Sequence, residues 1–332
     1  MDQERKIGWG ILGGGRIAND FAECLKLLPQ AEIAAVASSS EERARNFASR
    51  HNIKTYYTDY ADLARDSNVE VIYVATTHNF HINHALLCIE NGKHVLCEKP
   101  ITTNANEAFT LINAARKQKT FLMEAMWTRF LPLWVSVKKW LDEGLLGELV
   151  LVNADFGFFT KHGDFGRHLN PELAGGALLD VGIYPISLAC WIYGKIPDKS
   201  QSQAFLTKHG VDGISTYCLD FGDNRAAQLS SAVITHTPKE AVIVGTKGYL
   251  KVPEFWKGKE VTIYQNGEDP EVFKFPYEAA GFQFEAMEAM NCILNGKTES
   301  NIMPLDETLA IMKLMDSFRK DWGLIYPWET KN

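Results

Sequence analysis

The first half of the chain alternates between short apolar runs and stretches with helical spacing. The run Ile7–Leu12 is followed, over residues 16–28, by apolar residues three or four positions apart, which is the spacing of a helix with one buried face. Further strand-like runs lie at residues 33–37, 55–57, 69–75, 95–97 and 121–125, with helix-like segments between them. Strands that alternate with helices predict a doubly wound parallel sheet, the α/β class.

The pattern changes after residue 125. Candidate strands at 150–159, 203–207, 215–221, 226–234 and 241–244 alternate apolar and polar positions, with short turns at 222–224 and 245–248. This alternation predicts a mostly antiparallel sheet. Helical patterns lie at 132–143, 176–193, 282–295 and 305–322. We therefore predict an α/β domain over residues 1–125 and an α+β domain over residues 126–332.

Three glycines stand between the first apolar run and the first helix. Such a turn needs glycine because side chains would block the bend and because a pyrophosphate must approach the backbone N–H groups at the positive end of the helix dipole. A small residue, Ala18, follows where the fingerprint requires close helix–strand packing. The turn therefore predicts a Rossmann dinucleotide site. Its expected contacts are Gly13, Gly14, Gly15, Arg16 and Ile17.

The end of the second predicted strand bears on the choice of dinucleotide. Ser38 and Ser39 occupy the place where an NAD-specific domain carries an acidic residue, and Arg43 follows one helical turn later. A carboxylate would repel the extra phosphate of NADP, whereas serine hydroxyls and a guanidinium can bind it. We expect NADP, with NAD as the alternative. The serines are equally suited to cap the helix that carries Arg43.

The strand that ends near residue 75 leads into a polar segment. Ligands of such sheets bind beyond the carboxyl ends of the strands, so Thr76, Thr77, His78 and His81 are expected to face the nicotinamide half of the cofactor. Histidines also recur every third residue here, but neither a carboxylate nor a cysteine completes a metal-ligand set. We predict no metal site.

The next strand delivers two charges, Glu98 and Lys99, to the same sheet edge, and Pro100 follows them. Proline restricts the backbone, which would let Lys99 point in a constant direction, as a catalytic group requires. In the alternative interpretation, Glu98 and Lys99 form an ordinary surface ion pair, which is common and adds little to the stability of a protein.

Within the second half, one helical segment carries Asp180 and Tyr184, four residues apart and therefore on one face. Pro185 lies inside the same segment, where a proline removes a helix hydrogen bond, so we expect a kink or a late first turn. In the alternative interpretation Asp180 is a helix-start acid and Tyr184 a half-buried aromatic residue.

Composition narrows the class of partner. The chain has 332 residues, 46% of them hydrophobic, and a formal net charge of −7, which argues against a nucleic-acid or anionic membrane surface. The N-terminal sequence lacks the order of a secretion signal, and six dispersed cysteines form neither a zinc ribbon nor a redox pair. We expect a cytoplasmic protein with a small-molecule substrate.

Five stretches resemble the family of glucose-fructose oxidoreductase and inositol dehydrogenase, and within it the sugar and dihydrodiol dehydrogenase group. They are residues 9–13, 95–100, 123–130, 175–184 and 245–248. The resemblance implies a Rossmann domain, then an open, mostly antiparallel sheet that commonly pairs two subunits, so a homodimer or higher homo-oligomer is expected. It also implies that Glu98 and Lys99 lie at the nicotinamide and that Lys99 and Tyr184 serve the chemistry. Ser39 departs from the arginine of the dihydrodiol enzymes, whereas Arg43 matches.

Alcohol oxidation requires a base for the hydroxyl proton, and a tyrosine with an ordinary pKa of about 10 is a poor base unless a cation stabilises its phenolate. We therefore predict Tyr184 as the acid–base group, Lys99 as its cationic partner and Asp180 as the orienting carboxylate; Lys99 as the proton carrier stays open. The predicted substrate contacts are Trp127, Arg129, Phe156 and Tyr184. An aldose, a cyclic polyol and a dihydrodiol stay open as substrates, and a regulator that binds cofactor without turnover is the rival class.

Overall fold

A computed structural model describes residues 5–161 and 166–329. Contacts divide the chain into two compact units: the first comprises Met1–Trp127 and Glu278–Leu309, and the second Thr128–Tyr277 and Ala310–Asn332. The predicted domain boundary, between residues 125 and 126, lies close to the point after Trp127 where the chain first passes from one unit to the other. It assigned the segment Glu278–Leu309 to the second domain, whereas this segment packs with the first unit.

The first unit is built on a six-stranded parallel sheet in the order β3-β2-β1-β4-β5-β6. Its strands are β1 Ile7–Leu12, β2 Ala31–Ala37, β3 Thr55–Tyr57, β4 Val71–Val74, β5 His94–Glu98 and β6 Leu122–Ala125. The helices that follow them are α1 Arg16–Leu25, α2 Glu41–His51, α3 Tyr60–Arg65, α4 His81–Glu90 and α5 Ala105–Gln118. The strand order reverses between β1 and β4, and ligands of such sheets bind at that point. The predicted fold class is confirmed.

Local sequence signals set the ends of the helices. The side chain of Asn104 caps α5 by accepting from the backbone N–H of Glu107 at 2.9 Å, as N-cap residues do. Ser40 caps α2 more loosely, accepting from the N–H of Arg43 at 3.4 Å. At the other end of α2, Asn52 adopts the left-handed conformation that commonly terminates helices.

The second unit contains an eight-stranded sheet in the order β14-β13-β12-β11-β7-β10-β9-β8. Its strands are β7 Leu149–Gly157, β8 Lys199–Leu206, β9 Asp212–Asp220, β10 Ala226–Ala232, β11 Glu240–Gly245, β12 Gly248–Pro253, β13 Glu260–Gln265 and β14 Glu271–Lys274. All neighbours are antiparallel except β7 and β10, which run parallel. The remaining helices are α6 Pro132–Asp142, α7 Ile183–Tyr193, α8 Gln283–Leu294, which lies in the first unit, and α9 Leu305–Trp322.

The apolar helix of the second unit begins with a π-helical turn, Leu178–Gly182, that continues into α7. Pro185 lacks an N–H and its ring crowds the carbonyl one turn back, so a wider turn at this point relieves the conflict. The predicted irregularity is therefore present. The segment Pro171–Tyr193 is apolar enough to cross a membrane by composition, with a mean hydropathy of 1.5, but its apolar window is 94% buried, as in a core helix.

Candidate active site

The glycine turn of the first unit has the shape of a phosphate cradle. Gly13 has φ +110°, and a Cβ there would lie 2.8 Å from the carbonyl oxygen of Ala75, so only glycine fits. A Cβ at Gly15 would meet no described atom within 4 Å. Among the described residues no side chain caps α1, which leaves the backbone N–H groups of Arg16 and Ile17 available to an anion. These residues fit a dinucleotide pyrophosphate.

The serines after β2 have contacts that suit both predicted roles, the cap of α2 and the binding of the NADP phosphate. Ser40 caps α2, whereas the exposed Ser39 accepts a hydrogen bond from Nη2 of Arg43 at 3.3 Å. The backbone N–H of Ser39 in turn donates to the hydroxyl of Tyr60 at 3.3 Å. A guanidinium and a hydroxyl therefore lie together at the strand end where a ribose phosphate is expected.

His81 has a structural position that the sequence analysis did not anticipate. Its ring is fully buried, with Nδ1 2.8 Å from the carbonyl oxygen of Pro100 and Nε2 3.2 Å from that of Thr76. Burial lowers the pKa of His81 to about 4, so the ring is neutral and carries one N–H, which we assign to Nδ1 because its contact is shorter. With both ring nitrogens facing backbone carbonyls, His81 lies between the two loops that carry Thr76 and Pro100; its contact with a cofactor stays a prediction.

The other residues predicted to face the cofactor, Thr76, Thr77 and His78, lie in the segment that follows β4. The hydroxyl of Thr76 is 3.0 Å from Nδ1 of His84, and that of Thr77 donates to Asn79 at 2.8 Å. Desolvation lowers the pKa of His84 to about 4. His78 is buried in a 3₁₀ turn, with its ring centroid 5.7 Å from that of His81. Their contacts with a cofactor stay predictions.

The residues after Lys99 are tied to the first unit by several contacts. His81 engages the carbonyl of Pro100, and Glu124 of β6 accepts from the N–H of Ile101 at 2.9 Å. The thiol of Cys97 donates to the carbonyl of Ile101 at 3.6 Å, and burial raises its pKa well above the ordinary value, so it is an unreactive thiol. Lys99 consequently extends from a segment whose backbone is held on both sides.

Glu98, immediately before Lys99, is buried and accepts a hydrogen bond from the hydroxyl of Tyr73. Tyr73 stacks on Phe21 of α1, with ring centroids 3.7 Å apart. Trp127, at the end of the first part of this unit, is 7% exposed and lies 4.8 Å from Phe282, centroid to centroid. Sequence analysis missed Glu124 and Phe282, although Glu124 lies within one of its motifs.

In the second unit Asp180 is 5% exposed and paired with two cations or potential cations. Nη2 of Arg167 lies 2.9 Å from one carboxylate oxygen, and Nε2 of His168 lies 3.6 Å from the other. His168 is itself fixed by the hydroxyl of Thr160, 3.0 Å from its Nδ1. Sequence analysis did not identify Arg167 or His168, since nothing in their spacing links them to Asp180.

Tyr184 is 6% exposed and packs beside an aromatic platform. Its ring lies 5.4 Å from that of Phe156, which stacks on Trp256 at 4.2 Å. The ammonium groups of Lys239 and Lys257 lie 5.7 and 5.3 Å from the Trp256 ring, within cation–π range. Trp256 lies in the 3₁₀ turn Phe255–Lys257 after β12, a segment that had not been interpreted from the sequence.

Arg129, a predicted substrate contact, lies buried against α7 in the second unit. Its side chain is 2% exposed and donates to the hydroxyl of Ser187 on α7 at 2.7 and 3.2 Å and to the Ser187 carbonyl at 3.2 Å. The guanidinium also lies 5.6 Å from the Trp191 ring. A buried guanidinium requires such partners, so Arg129 braces α7 from within the second unit.

Comparison with known proteins identifies the family. Residues 7–126 match the family described as "Oxidoreductase family, NAD-binding Rossmann fold", and residues 134–251 match the "GFO/IDH/MocA C-terminal domain". The chain belongs to the Gfo/Idh/MocA oxidoreductase family. The predicted family is thereby confirmed, and with it an NAD(P)-binding oxidoreductase.

Relatives and solved structures extend over nearly the whole chain. Trans-1,2-dihydrobenzene-1,2-diol dehydrogenase of Xenopus laevis is 37% identical over 96% of this chain and 99% of its own length, and that of Homo sapiens is 33% identical over 98% and 99%. KijD10, a 3-ketoreductase from Actinomadura kijaniata solved with NADP, is 25% identical with a TM-score of 0.85, covering 95% of this chain and 98% of its own.

Proposed function

We propose that this oxidoreductase transfers hydride between NADP and a hydroxyl-bearing carbon of a sugar or a cyclic diol, of the D-xylose or trans-dihydrodiol type. Family membership and the names of the relatives support the class of reaction. The observation that carries the chemistry is the arrangement around Tyr184, whose ring packs on the Phe156–Trp256 platform one helical turn after the paired carboxylate of Asp180. Flat aromatic faces suit the apolar face of a sugar ring or a cyclic diol.

In this proposal nicotinamide accepts or delivers the hydride, and the protein manages the proton. Tyr184 takes the hydroxyl proton in oxidation and returns it in reduction, while Lys99 supplies the cation that stabilises the phenolate and anchors the hydroxyl. Asp180 orients Tyr184. We propose Trp127, Arg129, Phe156 and Tyr184 as substrate contacts.

Replacement of Tyr184 tests the mechanism. Tyr184→Phe retains the ring that packs on Phe156 but removes the proton carrier, so kcat should fall by at least about 10²-fold while cofactor affinity stays unchanged. The assay follows nicotinamide absorbance at 340 nm with pentoses, hexoses, inositols and dihydrodiols, and binding is measured by fluorescence titration. An unchanged kcat removes Tyr184 from the mechanism, and cofactor binding without turnover of any substrate by the wild type favours a regulator.

We propose NADP over NAD because Ser39 and Arg43 lie together at the end of β2. Arg43→Ala should lower kcat/KM for NADP by about tenfold or more, since a charge-assisted phosphate contact is lost, and should leave kcat/KM for NAD nearly unchanged. A wild type that prefers NAD, or a variant that loses both activities equally, would contradict this choice.

We also propose a homodimer formed through the outer face of the second unit's sheet. This face carries a partly exposed patch of Leu151, Val244, Tyr249 and Tyr264, with the two tyrosine rings stacked 4.4 Å apart. A contiguous apolar patch of this kind is typical of an association surface. Sedimentation should give twice the monomer mass, and Tyr249→Glu should shift the protein to monomers; a wild type that sediments as a monomer refutes the dimer.

A further inference from the structure

Arg167 and His168 belong to the second unit but have no role in the mechanism described so far. Arg167 contacts Asp180 at 2.9 Å although its own side chain is 43% exposed, whereas that of Asp180 is only 7% exposed. A carboxylate so far removed from water is stable as an anion only with a charged partner. His168 lies on the other carboxylate oxygen, and its ring is braced edge-on by Phe158 at 4.9 Å.

Asp180 precedes Tyr184 by about one turn of the same helical segment, and in the proposed mechanism it orients the phenol. A carboxylate near a tyrosine opposes formation of the phenolate, because two like charges in a poorly solvated region repel each other. Such a residue would hinder the base that it orients unless another group offsets its charge. Arg167 is placed to do this.

We propose that Arg167 is a positioning residue of the reaction, which fixes the Asp180 carboxylate and balances its charge so that Tyr184 can ionise beside it. This inference rests on the proposed function of Tyr184 but concerns the ion pair of Arg167 with Asp180, which that function does not itself require. His168 supports the same carboxylate from the second oxygen. The guanidinium is the essential partner because it remains charged throughout the pH range of the enzyme.

Other ionisable groups also pack around this helix. From the sheet, Asp212 accepts from the N–H of Leu178 at 2.7 Å, and burial raises its pKa to about 6. Tyr217 lies beside it, and burial raises its pKa far above the ordinary value, so it is uncharged. From the turn before α6, Arg129 is engaged with Ser187, and in the proposed mechanism Lys99 acts on the phenolate directly. Arg167 is the guanidinium that a described ion pair joins to Asp180.

The test compares Arg167→Met, which removes the charge, with Arg167→Lys, which keeps it. Arg225→Met is the matched control, because Arg225 also pairs with an aspartate of the second unit, Asp223, at 2.7 Å, but that aspartate is 84% exposed. In Arg167→Met, we expect the midpoint of the rise of kcat with pH to move up by about 0.5–1 pH unit, and kcat at neutral pH to fall about three- to tenfold. Arg167→Lys should keep the pH midpoint and kcat close to those of the wild type, and Arg225→Met should match the wild type in both quantities.

Two further measurements separate this inference from a general structural effect and from the proposed function. In an Asp180→Asn background, Arg167→Met should have little additional effect, since residues that act through each other are not additive. In the protein without substrate, the Tyr184 phenol is titrated by NMR of ¹³C-labelled tyrosine, with Tyr184→Phe to assign its signal. Arg167→Met should raise that midpoint by the same 0.5–1 unit, about the effect of one nearby charge.

The inference fails if Arg167→Met leaves the phenol titration and the pH profile where they are, if Arg167→Lys behaves like Arg167→Met, or if the effect persists fully in the Asp180→Asn background. If no substrate is turned over, the proposed function fails, but the phenol titration still decides the role of Arg167.

Discussion

Glu285 on α8 provides a test of how burial in the first unit changes the pKa of a carboxyl group and, with it, the free energy of unfolding. Its side chain is fully buried, and neither carboxylate oxygen has a hydrogen-bond partner among the described residues. Burial, followed by the charge of Glu98, raises the pKa of Glu285 well above its ordinary value. We infer that the folded protein keeps this carboxyl protonated at neutral pH, whereas the unfolded chain ionises it.

The sign of the resulting pH dependence follows from proton binding. The contribution of the protonated carboxyl to stability is complete below the pKa of the unfolded state and is lost as the pH rises toward the raised pKa of the folded state. Within that window, one proton changes the free energy of unfolding by about 1.4 kcal/mol per pH unit. Glu285→Gln has a similar shape and cannot ionise, so from pH 6 to pH 8 it should gain up to about 2.7 kcal/mol relative to the wild type.

The assay is urea denaturation of both proteins at pH 6, 7 and 8, followed by tryptophan fluorescence. Glu90→Gln, at the exposed end of α4, is the control and should keep a constant difference from the wild type. A constant difference for Glu285→Gln across the three pH values would show that the carboxyl is already ionised in the folded protein and would refute the reasoning.

Two other predictions concern the glycine turn and the brace on α7. Gly13→Ala should destabilise the first unit by more than about 1 kcal/mol, because φ is positive at Gly13 and an added Cβ would clash. The same variant should abolish cofactor binding. Gly15→Ala, at a position with open space, should have the Tm of the wild type but bind the cofactor more weakly. Ser187→Ala should lower the free energy of unfolding by about 1.5–3 kcal/mol, since the buried Arg129 loses a hydrogen-bond partner; a change within 0.5 kcal/mol would contradict the brace.

Local patterns were sufficient to predict most of the fold. The parallel sheet, its helices and the first strands of the second unit follow from periodicity and from glycine and proline positions, and α9 begins and ends where the spacing predicted. Strands β12, β13 and β14 were missed. Strand β14 has only four residues, whereas β12 and β13 alternate buried and more exposed positions, a signal that was not used. The parallel pairing of β7 with β10 joins segments about 75 residues apart, and such non-local pairing leaves little trace in local sequence.

The residues of the candidate site likewise fall into two groups, those that the local sequence predicts and those that it does not. Glycine, serine and strand-end positions carry their own local reasons, so Gly13, Ser39 and Lys99 could be proposed from sequence. The burial of His81 had a signal that was not used, since it shares a helical face with the buried Ala85, Cys88 and Ile89. The pairing of Arg129 with Ser187 had no such signal, because it depends on side chains 58 positions apart that meet only in the folded unit.

The anchoring of the segment after Lys99 has a practical consequence for engineering. The groups described as holding this segment, His81, Cys97 and Glu124, all belong to the first unit. The aromatic platform of Phe156 and Trp256 belongs to the second. In the proposed mechanism, libraries that vary the platform therefore leave the supports of Lys99 untouched, so substrate selectivity can be varied separately from the lysine that stabilises the phenolate.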